Sequence, residues 1–455
     1  MSSVTPQNPR NSCALRGAVQ TIQAIEGFVP ILHSTAGCAV GGSLAQVDVG
    51  YAAPPFDAGE SEIPSTNVFE RHVIFGGASR LREEIKNTVK VLKGELYLVV
   101  TGCATELIGD DVPAMVKEAQ EQHFPVAYVE GASFRGDAME GHHQTVRSIL
   151  DWVAALPEIK RGNQPLVNLF GIVPGRDAFL DGEYDELARV LGLIGVQVNR
   201  LFGYGSSLET WRQVPHADLT IAFGHSGKKL AQYAAKKFET PFVCVDSLPV
   251  GVEQTVGLLH AVASALKLDA SDLPGLAEEQ ERRFAYALDK WVNGYFGANI
   301  QREFIVAGDA ARVGGLTDFL QAYLGLVPAG VVVLDRLGKP EKENLRAQLP
   351  DVDVLCSEDG AEIERFIREI QPELLLASAL EEPVSRELHI PLRQISYPVA
   401  DQIALHKSYV GFDGAFALVE DLYGTLRTFS QRQGTELCNG YLSRACKKSV
   451  QIIPG

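Results

Sequence analysis

The side chains best suited to redox metal chemistry here are cysteines, and their placement is uneven. Seven occur in 455 residues, and an odd count in a long chain fits thiols or metal ligands better than a disulfide framework. Three come early. Cys13 lies in Asn11-Ser-Cys-Ala-Leu-Arg-Gly17, Cys38 in His33-Ser-Thr-Ala-Gly-Cys38, and Cys103 in Thr101-Gly-Cys-Ala-Thr-Glu106. Thiolates coordinate iron well, and small neighbours let an inorganic cluster approach backbone amides that hydrogen-bond its sulfides. A four-iron cluster ordinarily takes four ligands, so three cysteines leave one missing. Either an oxygen ligand completes the set, or a second chain contributes and the site lies at a subunit interface.

The other four cysteines read differently, because a lone buried cysteine behaves mainly as a small hydrophobe. Cys244, inside Pro241-Phe-Val-Cys-Val245, reads as a strand-core residue. Cys356 takes the same small-hydrophobe reading, whereas Cys438 and Cys446, eight apart in a polar C-terminal tail, lack compact metal-ligand spacing and read as free thiols.

The elements that must position the first three follow from hydrophobic patterning. Cys38 follows the apolar run Phe28 to Leu32, and Cys103 follows Leu96 to Val100. Cys13 precedes a helical stretch from Ala18 to Ile25. Further apolar runs occur at 166–173, 219–223, 304–308, 331–334 and 374–377, separated by helical stretches such as 316–324. Continuous apolar strands alternating with helices predict parallel sheets covered on both faces, an α/β doubly wound architecture. Ligands bind such sheets beyond the carboxyl ends of the strands. Polar breaks near 157–165 and 293–299 divide the chain into three α/β units: residues 1–160 with the early cysteines, 161–297, and 298–455.

A net charge of −16 and a pI near 5.2 argue against a nucleic-acid or anionic-membrane partner, since either requires a basic face. No apolar run reaches the roughly 18 residues of a membrane span. Met1 to Ser12 lacks the apolar segment of a secretory signal, so the cytoplasm is expected. There is no Gly-x-x-x-x-Gly-Lys-[Ser/Thr] phosphate loop. Gly308-Asp-Ala-Ala-Arg-Val-Gly314 reads as a strand-to-helix turn rather than a dinucleotide fingerprint. Asp110 and Asp111 read as helix caps before 113–117 rather than as an acid/base pair with Glu106. His142 and His143 read as surface or interface residues.

Thr101-Gly-Cys-Ala-Thr-Glu-Leu-Ile-Gly-Asp-Asp111, with Gly37-Cys38 after His33, Phe75-Gly-Gly-Ala78, Ser133-Phe-Arg-Gly136, Gly141-His-His143 and Tyr409-Val-Gly-Phe-Asp-Gly414, resembles the nitrogenase component 1 family. The likeness runs from about residue 11 to residue 430. It implies three Rossmann-like domains around a shallow central cleft. It also implies that Cys13, Cys38 and Cys103 supply half of an eight-iron, seven-sulfide P-cluster at the interface of two homologous subunits. A four-iron, four-sulfide cluster is the alternative. Ser133 is similar in position to the β-subunit serine that ligates the oxidised cluster.

In the family's α subunit a cysteine and a histidine anchor the catalytic iron–sulfur cofactor. The matching positions here resemble Gly224 and Val410, which cannot bind metal; nearby His225 and His406 read as structural or hydrogen-bonding residues. The resemblance therefore implies a β-type subunit that relays electrons, within an anaerobic α2β2 heterotetramer, from an ATP-hydrolysing iron protein to the cofactor in the α-type chain. Asn168-Leu-Phe-Gly-Ile-Val-Pro174 looks more like nitrogenase-like proteins outside the dinitrogen-fixing group, so methylthio-alkane (C–S bond) reduction is the expected activity. Dinitrogen reduction by a vanadium or iron-only form, a cofactor-assembly scaffold and a tetrapyrrole-reducing relative are the alternatives.

Overall fold

The computed structural model describes residues 7–431 apart from 9, 40–62, 158, 160, 161, 298 and 350, together with the backbone of 432–448. The described residues form three wholly parallel sheets. The first contains β1 (Phe28–His33), β2 (Leu96–Thr101) and β3 (Val126–Val129) in the order β1-β2-β3. The second contains β4 (Leu166–Phe170), β5 (Gln197–Asn199), β6 (Leu219–Phe223) and β7 (Phe242–Val245), ordered β5-β4-β6-β7. The third contains β8 (Glu303–Gly308), β9 (Val327–Val333), β10 (Asp353–Cys356), β11 (Leu374–Ala377) and β12 (Leu392–Gln394), ordered β10-β9-β8-β11-β12. Among the described residues no helix is long and apolar enough to cross a membrane.

Alternation along the strands of the first sheet explains why helices cover both its faces. Ile31, Tyr97, Val99 and Val126 pack with Leu81, Ile85, Val112 and Val116 of the helices Ala78–Val91 and Val112–Glu121. Leu32, Leu98, Val100 and Val129 face the other way, onto the helices Ala14–Gln23 and Ala138–Ala154. That second cluster continues through Leu169, Phe170, Ile221 and Phe223, so the first two sheets share one apolar core. The third sheet has its own clusters on its two faces. The helix beginning at Gly411 spans the junction, with Phe412 in the shared core and Leu418 and Leu422 against the third unit.

Two helices that set the position of Cys13 cross very closely. A Cβ added at Gly17 would lie 1.9 Å from the Ala138 carbonyl oxygen, and one at Gly141 would lie 1.9 Å from that of Ala14. Only glycine at both positions lets the two backbones touch. Arg312 joins the third unit to the second: its guanidinium lies 2.7 Å from Asp177 Oδ2 and 2.7 Å from Glu183 Oε1, with all three groups buried. Burial pushes the Glu183 carboxyl well above the usual carboxylate range, and Arg312 opposes that shift.

The two histidines expected at the surface or at an interface are buried within the chain. His143 Nε2 lies 2.9 Å from Ser226 Oγ, and His142 Nδ1 lies 2.9 Å from Thr21 Oγ1. Their helix is packed between the first sheet and the helix Gly224–Phe238, which leaves it little solvent-facing surface there. Burial, with His143 and Arg176 nearby, holds the proton affinity of His142 well below the ordinary value of 6.5. The unfolded chain regains the ordinary affinity and binds a proton that the fold excludes. This contribution is therefore present above about pH 6.5 and is lost as pH falls below it, at up to about 1.4 kcal/mol per pH unit. Thermal unfolding at about pH 7.5 and about pH 5.5 should show a smaller acid-induced loss in His142→Gln than in the parent. Equal losses would remove His142 as a cause.

Candidate metal centre

The turns carrying Cys38 and Cys103 both leave the carboxyl edge of the first sheet. His33 ends β1 directly opposite Thr101, which ends β2, and the Gly102 N–H donates to the His33 carbonyl at 2.9 Å. The turns carrying Cys38 and Cys103 thus leave neighbouring strands side by side. Cys13 arrives from a different direction. It precedes the helix Ala14–Gln23 with extended backbone, and its thiol makes no capping hydrogen bond, so the sulfur is not committed to the helix. Its backbone bridges to Asp137, and the Ala14 N–H donates to the Gly136 carbonyl at 3.2 Å, just past the turn Ser133–Arg135 that follows β3.

Ser133 lies directly against Cys103. The Ser133 N–H donates to Cys103 Sγ at 3.2 Å, and the two side chains are 3.0 Å apart between Oγ and Sγ. An amide donating to sulfur is the kind of hydrogen bond that supports a metal-bound sulfur ligand. Cys13 is exposed, and Cys38 and Cys103 are half-buried; none is in a disulfide.

The carboxylates near Cys103 build the scaffold. Glu106 accepts from Thr101 Oγ1, from the Ala132 N–H at 3.1 Å and from Arg135, which ties the turn after β2 to the turn after β3. Asp111 is a helix cap, accepting from the Ala114 N–H at 3.0 Å. Asp110 is not one. It accepts from the Gly77 N–H at 2.8 Å and sits 2.9 Å from His33 Nε2, both side chains being buried. Burial lowers the proton affinity of His33 and outweighs the opposing pull of Asp110. A neutral His33 donating Nε2–H to Asp110 therefore links β1 to the segment after β2. Both residues lie inside motifs visible in the sequence, but only the strand order brings them together.

Elsewhere the expectations divide. Gly224 begins the helix Gly224–Phe238 with φ of +59°, and a Cβ there would lie 2.9 Å from that of Ala311; Val410 is buried in the apolar core. His225 Nδ1 stands 3.5 Å from Glu341 Oε1, and the exposed His406 Nδ1 stands 3.1 Å from Asp185 Oδ2, so both have carboxylate neighbours. Cys244 is exposed rather than in the core, because β7 is an edge strand. Cys356 is half-buried at the end of β10, the opposite edge of the third sheet. The side chains of Cys438 and Cys446 lie outside the described residues.

Among the described residues, no three His, Cys, Asp or Glu side chains converge closely enough to hold a single metal ion. The Cys103 thiol, outside any disulfide and accepting the Ser133 N–H, has the donor chemistry that an iron–sulfur group takes.

Residues 13–427 match the family described as nitrogenase component 1 type oxidoreductase, and the chain belongs to that family. It is 26% identical to the nitrogenase molybdenum-iron protein beta chain of Frankia alni, over 92% of this chain and 82% of that one. It is 22% identical to a subunit of the light-independent protochlorophyllide reductase of a Nostoc species, over 83% and 76% of the respective chains. A solved structure of nitrogenase Cp1 at pH 6.5 shares the fold with a TM-score of 0.77 and 19% identity, covering 95% of each chain. Within the oxidoreductase family this is a β-type chain.

Proposed function

We propose that this chain is the electron-relay subunit of a nitrogenase-like component 1 complex, with Cys13, Cys38 and Cys103 holding one half of an eight-iron P-type cluster and Ser133 available as a further oxygen ligand. The observation that carries the proposal is the contact of Ser133 with Cys103 at the sheet edge that the Cys38 turn also leaves, with the Cys13 backbone tied to Asp137 just past the Ser133 turn. Such a cluster supplies single-electron storage and transfer when bound. The chain's own part is to hold thiolates at fixed positions and to donate the Ser133 amide to Cys103 Sγ. It also keeps the Cys103 turn rigid through Glu106 and the His33–Asp110 contact.

The same edge supports a partner chain that brings the remaining ligands. Phe75 is 81% exposed and Leu107 76% exposed, and Phe69, Val73, Ile74 and Phe134 are exposed beside them. An apolar rim of this kind around partly open thiols suits burial in a subunit interface. The partner is an α-type chain carrying the catalytic cofactor, in an α2β2 assembly served by an ATP-hydrolysing iron protein. The complex works in the cytoplasm, a reading supported by the acidic composition. Three domains at 1–160, 161–297 and 298–455 carry these roles. The wall behind Gly224 and the buried Val410 support a chain that does not itself hold the catalytic cofactor.

The segment Asn168–Pro174 favours methylthio-alkane reduction over dinitrogen reduction. Purified complex supplied with the iron protein, ATP and a reductant should cleave dimethyl sulfide or 2-methylthioethanol. Dinitrogen turnover without any C–S cleavage would overturn the substrate assignment. Iron and sulfide analysis separates the remaining readings: a four-iron interface group points to the tetrapyrrole-reducing type, and an inactive complex points to an assembly scaffold.

A further inference from the structure

We infer that the cleft at the meeting point of the three units binds a small organic anion, recognised by Arg16 and Gln20. The cleft has a volume of about 240 Å³. One wall is formed by Asp309, Leu334, Leu380 and Ser396–Pro398, which follow β8, β9, β11 and β12. The strand order of the third sheet reverses between β8 and β11, and a crevice beyond the carboxyl ends at such a reversal is the general ligand position of open α/β sheets. The opposite wall comes from the first unit, through Arg10–Ser12, Arg16 and Gln20, and from Gly175 and Arg176 of the second.

Charge identifies the ligand class. Three arginines but only one carboxylate line the cleft, in a chain whose net charge is −16. Two of the arginines are already engaged. Arg10 is held by Glu381 and donates to Ser378 Oγ at 2.7 Å. Arg176 donates to Asn11 Oδ1 at 2.8 Å and to Asp309 Oδ1 at 3.0 Å, with Asp335 also near. The Arg16 side chain has no hydrogen-bond or ion-pair partner among the described residues, and neither has that of Gln20, one turn further along the same helix face. A guanidinium presents five donors in a planar fork that matches carboxylate or phosphate oxygens. The wall facing it is carbon-rich, with Leu334, Leu380, Tyr397 and Pro398. An organic anion places its charge on Arg16 and its carbon frame on that wall; a bare inorganic ion uses only half of the surface. The inference stands whether or not Cys13 holds iron.

The full-length protein, purified with its partner chain, is titrated with succinate, citrate, glycerol 3-phosphate and inorganic phosphate at constant ionic strength, with chloride as the control. Calorimetry should show saturable binding of at least one organic anion with Kd near or below about 1 mM. A ligand bridging three units should also raise the melting temperature with concentration. Arg16→Gln should weaken binding roughly tenfold or more, with partial recovery in Arg16→Lys; Gln20→Leu serves if Arg16→Gln does not fold. Absence of saturable binding, or unchanged binding in both variants, overturns the site. Inorganic phosphate binding as tightly as every organic probe overturns the organic ligand class.

Discussion

Complex carrying Cys103→Ala is expected to purify with most of its interface iron missing and to reduce substrate at least about a hundredfold more slowly. Loss of a second-shell partner alone costs a metal site about 10–100-fold, and Cys103 is proposed as a direct ligand. It is also the thiol most elaborately supported by its surroundings, with the Ser133 amide at 3.2 Å and Glu106 bracing both adjoining turns. Fold loss is not the expected cause, since the side chain is half-buried and packs against a turn rather than in either core cluster. Circular dichroism and melting of the separate chain should therefore change little, while the α/β pair should be isolated in lower yield because cluster binding and assembly are linked. Cys438→Ala provides the contrast and should retain parental iron and turnover. Equal iron in the two variants would refute the assignment of Cys103.

Gly17→Ala is expected to lower the melting temperature by several degrees and to deplete iron as well. The added Cβ would meet the Ala138 carbonyl at 1.9 Å, and a backbone oxygen cannot rotate away as a side chain can. The helices Ala14–Gln23 and Ala138–Ala154 must separate, although both are packed into the shared core. Overpacking of this kind costs about 1–3 kcal/mol and sometimes more. Because Cys13 immediately precedes the first helix and its backbone bridges to Asp137 just before the second, any separation displaces that thiol from the edge where the others stand. Gly257→Ala, at an exposed helical position with no atom within 4 Å of the new Cβ, should instead be neutral or stabilise by up to about 1 kcal/mol. Matching melting shifts in the two variants would show that the close crossing is not what glycine serves.

Apolar runs made the long buried strands readable in advance, because a strand covered on both faces carries its signal in every residue. The strand expected at 166–173 stops at Phe170, where Gly171 takes a positive φ of 114°. The three-residue strands β5 and β12 are too short for a pattern to register. Polarity misled as to a surface position at His142 and His143, whose helix is enclosed by the neighbouring helix Gly224–Phe238, and apolarity misled at Cys244, whose strand happens to be an edge. Both errors have one origin: burial depends on what covers an element, and local sequence specifies the element alone. The same limit applies to the candidate metal centre. The sequence motifs located Cys38 and Cys103 at strand ends, yet spacing could not reveal that those strands are adjacent, that Ser133 touches Cys103, or that Arg16 looks into a cleft between units.

The contact behind Gly224 bears on how a chain of this kind could acquire a new task. A cysteine introduced there would have to adopt a left-handed backbone and would collide with Ala311, a residue of a different unit. Placing a metal anchor at this position would thus require rebuilding around Ala311 as well as around Gly224, so shape as well as residue type keeps a thiol out of it.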